Sequence, residues 1–428
     1  MFSLFFKHYS SRRTVGEVLS KLSIGSLTRF IGVSKQRHSL ISTITTVETR
    51  SPTILFVSES KAYFFSPHSI DQHKQEVQLK SINVPWDSVG EVDRFQILGS
   101  CNGLLLICIG NDLFMWNPLT GFFKKVLAYD RLNDTNYTVH SGLCYDSVHD
   151  EYKAVLVLSH LTPDYGGQFV VVGNFKRKTW TVIDAPYLVT SMESSMESGP
   201  IVNGNLHWFA SKKEYSGCRF LSPHLIIYFN AHMDKFEEVP MPEPRGEDGD
   251  IICSLSVLDG CLCMSRLVCP GDSRSDVEVL IMKEYGVKTS WTILFTGSNG
   301  SVFNVNDRFM PLCYTKNGEV LHHTWTNHGW HLRAFNLTDN SHRRISIPRR
   351  ISIPGPINYT TFHVIRHEES LNTPVDYGWE EEEQKGEATY VEHGPRGYAY
   401  SLKNSIKYDP TPRRRRRRRG GGNWRKSN

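Results

Sequence analysis

The sequence predicts a mainly β fold: a propeller of about six blades over residues 50–375, with a short helical piece before it and a low-complexity tail behind it. Three observations predict it. First, from about residue 50, short apolar, β-branched and aromatic runs (TILFVSE, NGLLLICIG, YKAVLVLS, GQFVVVGNF, HLIIYFN, DVEVLIMKEY) alternate with Gly, Asn, Asp and Pro turns. No helical periodicity separates these runs, so an all-antiparallel arrangement is expected. Second, turn pairs recur at Asn102-Gly103, His149-Asp150, Asn203-Gly204, Asp259-Gly260 and Asn317-Gly318, at intervals of 47, 54, 56 and 58 residues. Third, each pair is followed by an aromatic or apolar residue leading into a polar turn: Trp116-Asn117-Pro118, Asn174-Phe175, Phe229-Asn230, Glu284-Tyr285 and Phe335-Asn336. Several strands per period of this length is the pattern of propeller blades. A lone blade cannot cover both its faces, so blades stack around a channel. Trp116, Trp180, Trp208, Trp291 and Trp325 are accordingly expected in the core between them.

Taken in chain order, residues 1–14 receive no assignment. Their apolar patch is short for a secretion signal and has no small-residue cleavage site, while a Ser/Arg content free of acids until Glu17 is shared with mitochondrial transit peptides. Residues 15–45 contain the one clearly helical stretch, EVLSKLSIGSLTRFIGVSKQRHSLI. Val18, Leu19 and Leu22 share one face, Leu27, Phe30, Ile31 and Val33 form a second apolar cluster, and Ser23 and Gly25 interrupt the two. A piece this small buries little by itself, so its apolar face is expected to meet another protein or the following domain. Within 50–375, the first strands at 53–80 and a last strand near 362–366 are candidates to share one blade, and the blade count turns on whether they do.

Residues 376–428 read as a disordered tail: an acidic run at Glu380 to Glu383, then arginines and glycines. The net charge of +5 is unevenly placed. Arg413, Arg414, Arg415, Arg416, Arg417, Arg418 and Arg419, with Arg425 and Lys426, supply nine positive charges and no acid, so residues 1–412 stand at −4. A uniformly basic nucleic-acid-binding body is therefore not expected, and the basicity belongs to the tail. Nuclear import or nonspecific RNA binding would fall to the arginine run alone. No apolar run reaches eighteen residues, so no membrane helix or membrane partner is expected. Nine cysteines, an odd number thinly spread behind no secretion signal, read as reduced thiols of a cytoplasmic or nuclear protein.

Several segments resemble one family, the plant F-box proteins with an F-box-associated (kelch-like) domain. GSCNGLLLICIGNDLFMWNPLTGFFKKV at 99–126 resembles its opening motif, and GLCYDSVHDEYKAVLV at 142–157 the next. MKEYGVKTSWTILF at 282–295 is close to a family hallmark, and FHVIRHEESLNTP at 362–374 resembles the closing stretch. Residues 17–41 resemble the second half of an F-box, in degenerate form. The usual Leu-Pro opening would fall at Ser10-Ser11, Ser23 stands for a proline, and Arg37 for a tryptophan. The resemblance implies a kelch-like propeller and a non-catalytic receptor subunit of a cullin-based ubiquitin ligase. It implies that Leu19, Leu22, Leu27, Phe30 and Val33 contact a small adaptor subunit while the propeller captures a target protein. Such a receptor acts by proximity rather than by bond chemistry. The alternative is a propeller scaffold that has left the ligase and binds partners, with nucleic acid only at its tail.

Catalytic motifs are missing from the sequence: no phosphate loop, HExxH helix, GxSxG elbow or CxxC pair. No cofactor or metal is expected. Cys253, Cys261, Cys263 and Cys269 cluster, and Cys261 and Cys263 alternate within a strand so that both face one side; they read as buried thiols rather than a zinc site. His322, His323, His328 and His331 span a predicted hairpin without an acid or thiol to complete a site, and read as packed or solvated. The tandem hexapeptide RRISIP at 343–348 and 349–354 places Ser346 and Ser352 in Arg-Arg-Ile-Ser contexts that suit a basic-directed kinase, beside the plainer reading of a duplicated loop.

Overall fold

The computed structural model describes residues 52–370, apart from connecting segments at 59–60, 71–76, 89–94, 133, 135, 161–167, 190–197, 213–224, 246–250, 269–275, 298–307, 327–328 and 348–362, together with Thr389–Val391. Six antiparallel sheets form around one ring. Blade two comprises Phe95–Cys101, Leu104–Ile109, Asp112–Trp116 and Phe123–Ala128, and blade three Tyr137–Asp146, Glu151–His160, Gln168–Asn174 and Thr179–Ile183. In blade four, Tyr187–Val189 and Ile201–Val202 share the inner edge of Asn205–Lys212, followed outward by Leu225–Asn230 and Lys235–Val239. Blade five runs Ile251–Leu258, Cys261–Val268, Asp276–Met282, Trp291–Gly297, and blade six Arg308–Tyr314, Val320–Thr326, Gly329–Phe335, His342–Ile345. The innermost strands touch from one blade to the next and close the ring.

Blade one carries the closure. Its three outer strands, Pro52–Val57, Ala62–Phe65 and Lys80–Ile82, come from the start of the described chain, while its inner strand, His363–Glu368, comes from the far end. Pro52 pairs with Glu368 and Val57 with His363. The first and last strands thus do share a blade, which fixes the count at six.

Both faces of every blade are covered, which explains why antiparallel strands carry continuous apolar runs such as the fully buried LLLICI at 104–109. In Glu151–His160, Ala154, Leu156 and Leu158 face blade two, while Val155 and Val157 face blade four. Six apolar clusters result among the described residues, one per joint between neighbouring blades. Trp116, Trp180 and Trp208 are buried in three of these joints, and Trp291 is partly buried in a fourth. Trp180 Nε1 donates to Ala128 O and Trp291 Nε1 to Pro240 O, in each case crossing to the end of the preceding blade. The side chain of Trp325 lies outside the described residues.

The turn markers work as the spacing implies. Asn102-Gly103, Asn203-Gly204 and Asp259-Gly260 have positive φ at both residues, between 50° and 78°, the geometry that a two-residue hairpin between the first and second strands requires. At the turn between the third and fourth strands, Asn117, Asn174, Asn230 and Asn336 each accept a backbone N–H two or three residues on, an Asx turn repeated in four blades. Asn117 also donates from Nδ2 to Ser370 O at 2.8 Å, a buried bond that pins the closing segment to blade two.

Gly103 lies against the same segment. A Cβ there would stand 2.2 Å from Ser370 Cβ and 2.8 Å from its backbone nitrogen, at a φ of +77°. Gly103→Ala is expected to cost roughly 1–3 kcal/mol through clash and left-handed strain, read as a lower urea midpoint. Gly204→Ala has no atom within 4 Å of its Cβ, isolates the strain alone and should cost less.

Candidate functional site at the two ends of the propeller

Because successive strands in a blade are antiparallel, their connections alternate between the two ends of the ring. One end gathers the tight turns: first-to-second strand turns such as 102–103, 203–204 and 259–260, and third-to-fourth turns such as 117–122, 175–178 and 231–234. At the other end lie the strand ends from which the second-to-third and blade-to-blade connections leave, such as His160, Gln168, Lys212 and Leu225. Pro52 pairs with Glu368 at the tight-turn end. Both ends of the ring's chain, Pro52 and Glu368, therefore lie at the tight-turn end, and the opposite end carries neither.

The four most exposed large apolar side chains among the described residues, Val148, Met233, Val287 and Ile293, belong to blades three to five. Val148, Met233 and Val287 sit in tight turns and Ile293 at the third residue after one. Between Val148 and Met233, blades three and four meet in a polar joint. Asp146 and Glu151 are direct hairpin partners and Lys153 lies two residues on, so all three project from one side of blade three toward the 231–234 turn of blade four.

Asp146 is fully buried. Its Oδ1 accepts the N–H groups of Val148 and His149 at 3.0 and 3.2 Å, and its Oδ2 lies 2.7 Å from His149 Nδ1 and 3.3 Å from Lys153 Nζ. Burial alone would raise this carboxyl. The His149, Val148 and Lys153 hydrogen bonds outweigh burial and hold it at about 2. The nearly buried Lys153 donates to Ala231 O at 2.6 Å and to Asp234 Oδ1 at 2.9 Å. Burial opposes the ammonium's charge, but the contacts with Asp234 and Asp146 raise its affinity for the proton overall. The His149 and His232 rings stack at 5.3 Å across the joint, both half exposed.

The histidines and thiols singled out in the sequence are packed. His322 is fully buried and stacks on Phe309 at 4.0 Å, and burial holds its ring far below the usual imidazole range. His323 Nε2 lies 3.2 Å from Met310 Sδ. His331 is partly buried opposite Thr324, and His328 lies outside the described residues. Cys253, Cys261 and Cys263 join one apolar cluster between blades five and six, and burial pushes the Cys263 thiol up to about 12. Cys269 lies outside the described residues. Ser346 is exposed just beyond the outer strand of blade six, its carbonyl accepting the Val77 N–H at 3.1 Å. Leu19, Leu22, Leu27, Phe30, Val33, Ser352 and Arg413 to Arg419 all lie outside the described residues. Within the expected tail, Thr389–Val391 runs parallel to Thr179–Ile183 at the outer edge of blade three.

A family model described as the F-box associated beta propeller domain matches residues 53–323. The chain belongs to this family. The match spans blades one to six as far as the second strand of blade six, and the remaining strands of the ring follow it. Among curated relatives, the F-box protein CPR1 of Arabidopsis thaliana is 27% identical over 330 residues, covering 71% of this chain and 76% of that protein. The F-box/kelch-repeat protein At3g23880 of Arabidopsis thaliana is 28% identical over 312 residues, covering 68% and 80%. Among the described residues no helix is long and apolar enough to cross a membrane.

The polar joint of Asp146, His149, Lys153, His232 and Asp234 escaped the sequence reading. The hairpin segment YDSVHDEYK and the turn NAHMDK each show a His within two residues of an Asp, but nothing in the sequence pairs two turns more than eighty residues apart.

Proposed function

We propose that the chain is a target-recognition subunit of a cullin-based ubiquitin ligase, non-catalytic itself, with residues 15–45 engaging the adaptor and the propeller capturing the target. Family membership, in company with relatives named as F-box proteins, is the observation that carries this reading. The strand topology supports a division of labour. Both ends of the ring's chain, Pro52 and Glu368, lie at its tight-turn end, so an adaptor held there leaves the connections at the opposite end open to a target, as loops on a rigid scaffold usually are. The arrangement works by raising the target's effective concentration near the ubiquitin carrier.

Replacing Leu22 and Phe30 together by Asp places two charges on the face assigned to the adaptor. Immobilised full-length chain is expected to retain purified adaptor subunit, and the doubly substituted chain to retain at least about tenfold less. Equal retention by both chains would remove those side chains from the interface. No retention by either would favour a propeller scaffold outside the ligase. In that second reading the arginine run, Arg413 to Arg419, is the arm for nucleic acid or nuclear import, and RNA binding should weaken steeply with salt and vanish without residues 413–428. Ser346, exposed next to Arg343 and Arg344, is proposed as a phosphate acceptor, with Ser352 in the duplicated copy.

A further inference from the structure

We propose that Asp146, His149 and His232 form a binding site for a borderline divalent transition metal, with Zn2+ the class representative, clamping blade three to blade four at the tight-turn end. One ligand atom from each lies within 4.8 Å of the others. Two imidazoles and one carboxylate suit Zn2+ or its first-row neighbours, whereas Ca2+ and Mg2+ prefer all-oxygen shells. The ligands come from two separate places in the chain, the hairpin at 146–150 of blade three and the turn at 231–234 of blade four, so a bound ion would cross-link the joint.

The charge balance of the joint points the same way. Three carboxylates, Asp146, Glu151 and Asp234, lie within 4 Å of the Lys153 ammonium, while the exposed Lys176 reaches the His149 carbonyl at 3.5 Å. The nearest guanidinium, Arg177, is mostly exposed and 3.9 Å from Glu151 Oε2. Glu151 is buried, and its Oε1 has no hydrogen-bond partner among the described residues, Lys153 Nζ standing 3.6 Å away. A divalent cation would offset this surplus of negative charge.

Lys153 does not block the site. Its short bonds go to Ala231 O and Asp234, and its 3.3 Å contact with Asp146 is the longest of the three. It contacts Asp146 at Oδ2, the oxygen beside His149 Nδ1, and leaves Oδ1, 3.9 Å from His232 Nδ1, to the ion, itself acting as an outer partner of a metal-binding carboxylate. A tetrahedral zinc site separates its ligand atoms by about 3.3 Å. Asp146 is anchored by two backbone N–H groups, so the two half-exposed imidazoles would make the remaining movement of about an ångström by side-chain rotation. A fourth coordination position would face solvent, open to water or to a donor atom of a captured protein.

The test uses the full chain, stripped with a chelator, titrated calorimetrically with Zn2+ at pH 7.5 and melted with and without it. The parent is expected to bind one Zn2+ that is lost or weakened at least about tenfold in His149→Ala and in His232→Ala, while His68→Ala, an exposed histidine of blade one, binds as the parent does. Zn2+ should raise the melting temperature of the parent and of His68→Ala only. Binding should also weaken on acidification, since imidazole must be unprotonated to ligate. Both alanine variants alter exposed turn side chains, and their melts without metal report whether they fold. No Zn2+ binding by the parent would overturn the proposal. So would unchanged binding by both His149→Ala and His232→Ala, which would assign the ion to other donors of the chain.

Discussion

Ending the chain at residue 362 is expected to abolish the folded propeller. The deletion removes His363–Glu368, the inner strand of blade one, and with it that strand's whole pairing with Pro52–Val57, which is left bonded only to Ala62–Phe65. It also takes Ile365 from the joint between blades one and two and Val364 from the joint between blades one and six. The buried Asn117 to Ser370 bond goes as well. The ring is then open at one blade, with two apolar faces and a strand edge uncovered. A loss of several kcal/mol would approach the whole stability of a typical domain, roughly 5–15 kcal/mol. The truncated chain should be insoluble or lack a cooperative melt. A chain ending at 375 retains the closing strand and should melt within a few degrees of the full chain. A cooperative melt of the 1–362 chain at the parent's temperature would show that the ring does not depend on its closing strand.

Acidification from pH 7 to 5 is expected to destabilise the protein strongly. Burial holds His140, His207, His363 and His367 at about 4. For His207, bonds to the Pro200 and Asn205 backbones oppose the shift without cancelling it. His322 is also held well below the usual imidazole range by burial. The unfolded chain takes up protons near pH 6.5 while the folded chain does not. Stability is therefore fully present above the unfolded value and is lost as pH falls through about 6.5 toward 4. Each such group gives at most about 1.4 kcal/mol per pH unit, and several together give several kcal/mol. The Asp146 carboxyl, held at about 2, adds a further loss only below about pH 4, where the unfolded carboxyl protonates. Melting temperatures across pH 7.5, 6.5 and 5.5 should drop steadily. A flat profile over that range would mean that these imidazoles are not buried neutral.

The blade repeat was legible because each blade reuses the same local chemistry. Asn-Gly and Asp-Gly pairs supply two positive φ values in succession, and an Asn after the third strand turns the backbone with its own side chain. Those needs lie within a few residues and so leave a mark at fixed spacing. Trp180 and Trp291 were legible as inter-blade residues for a similar reason, since both occupy the outer strand of a blade and bond back to the preceding one. The broken inner strand of blade four was not legible: Tyr187–Val189 and Ile201–Val202 divide one edge between them, with the intervening chain setting no period. Arg266 and Glu278 are a buried ion pair, bonded at 2.9 and 3.0 Å within strands that read as apolar. Only their register, which sets them directly opposite, shows why both charges can be inside. The joint at Asp146 and His232 was hidden more deeply, because it depends on which blades are neighbours and on how far two turns reach toward each other.

The measurement that bears most directly on the central claim is the affinity of the purified ligase adaptor for this chain, by calorimetry, compared between residues 1–428 and residues 46–428. The shorter chain keeps the whole propeller and its closing strand. The receptor reading predicts a one-to-one complex with the full chain and no measurable heat with the shorter one, both proteins melting alike. Equal affinity for the two would place the adaptor contact on the propeller, and no affinity for either would take the chain out of the ligase.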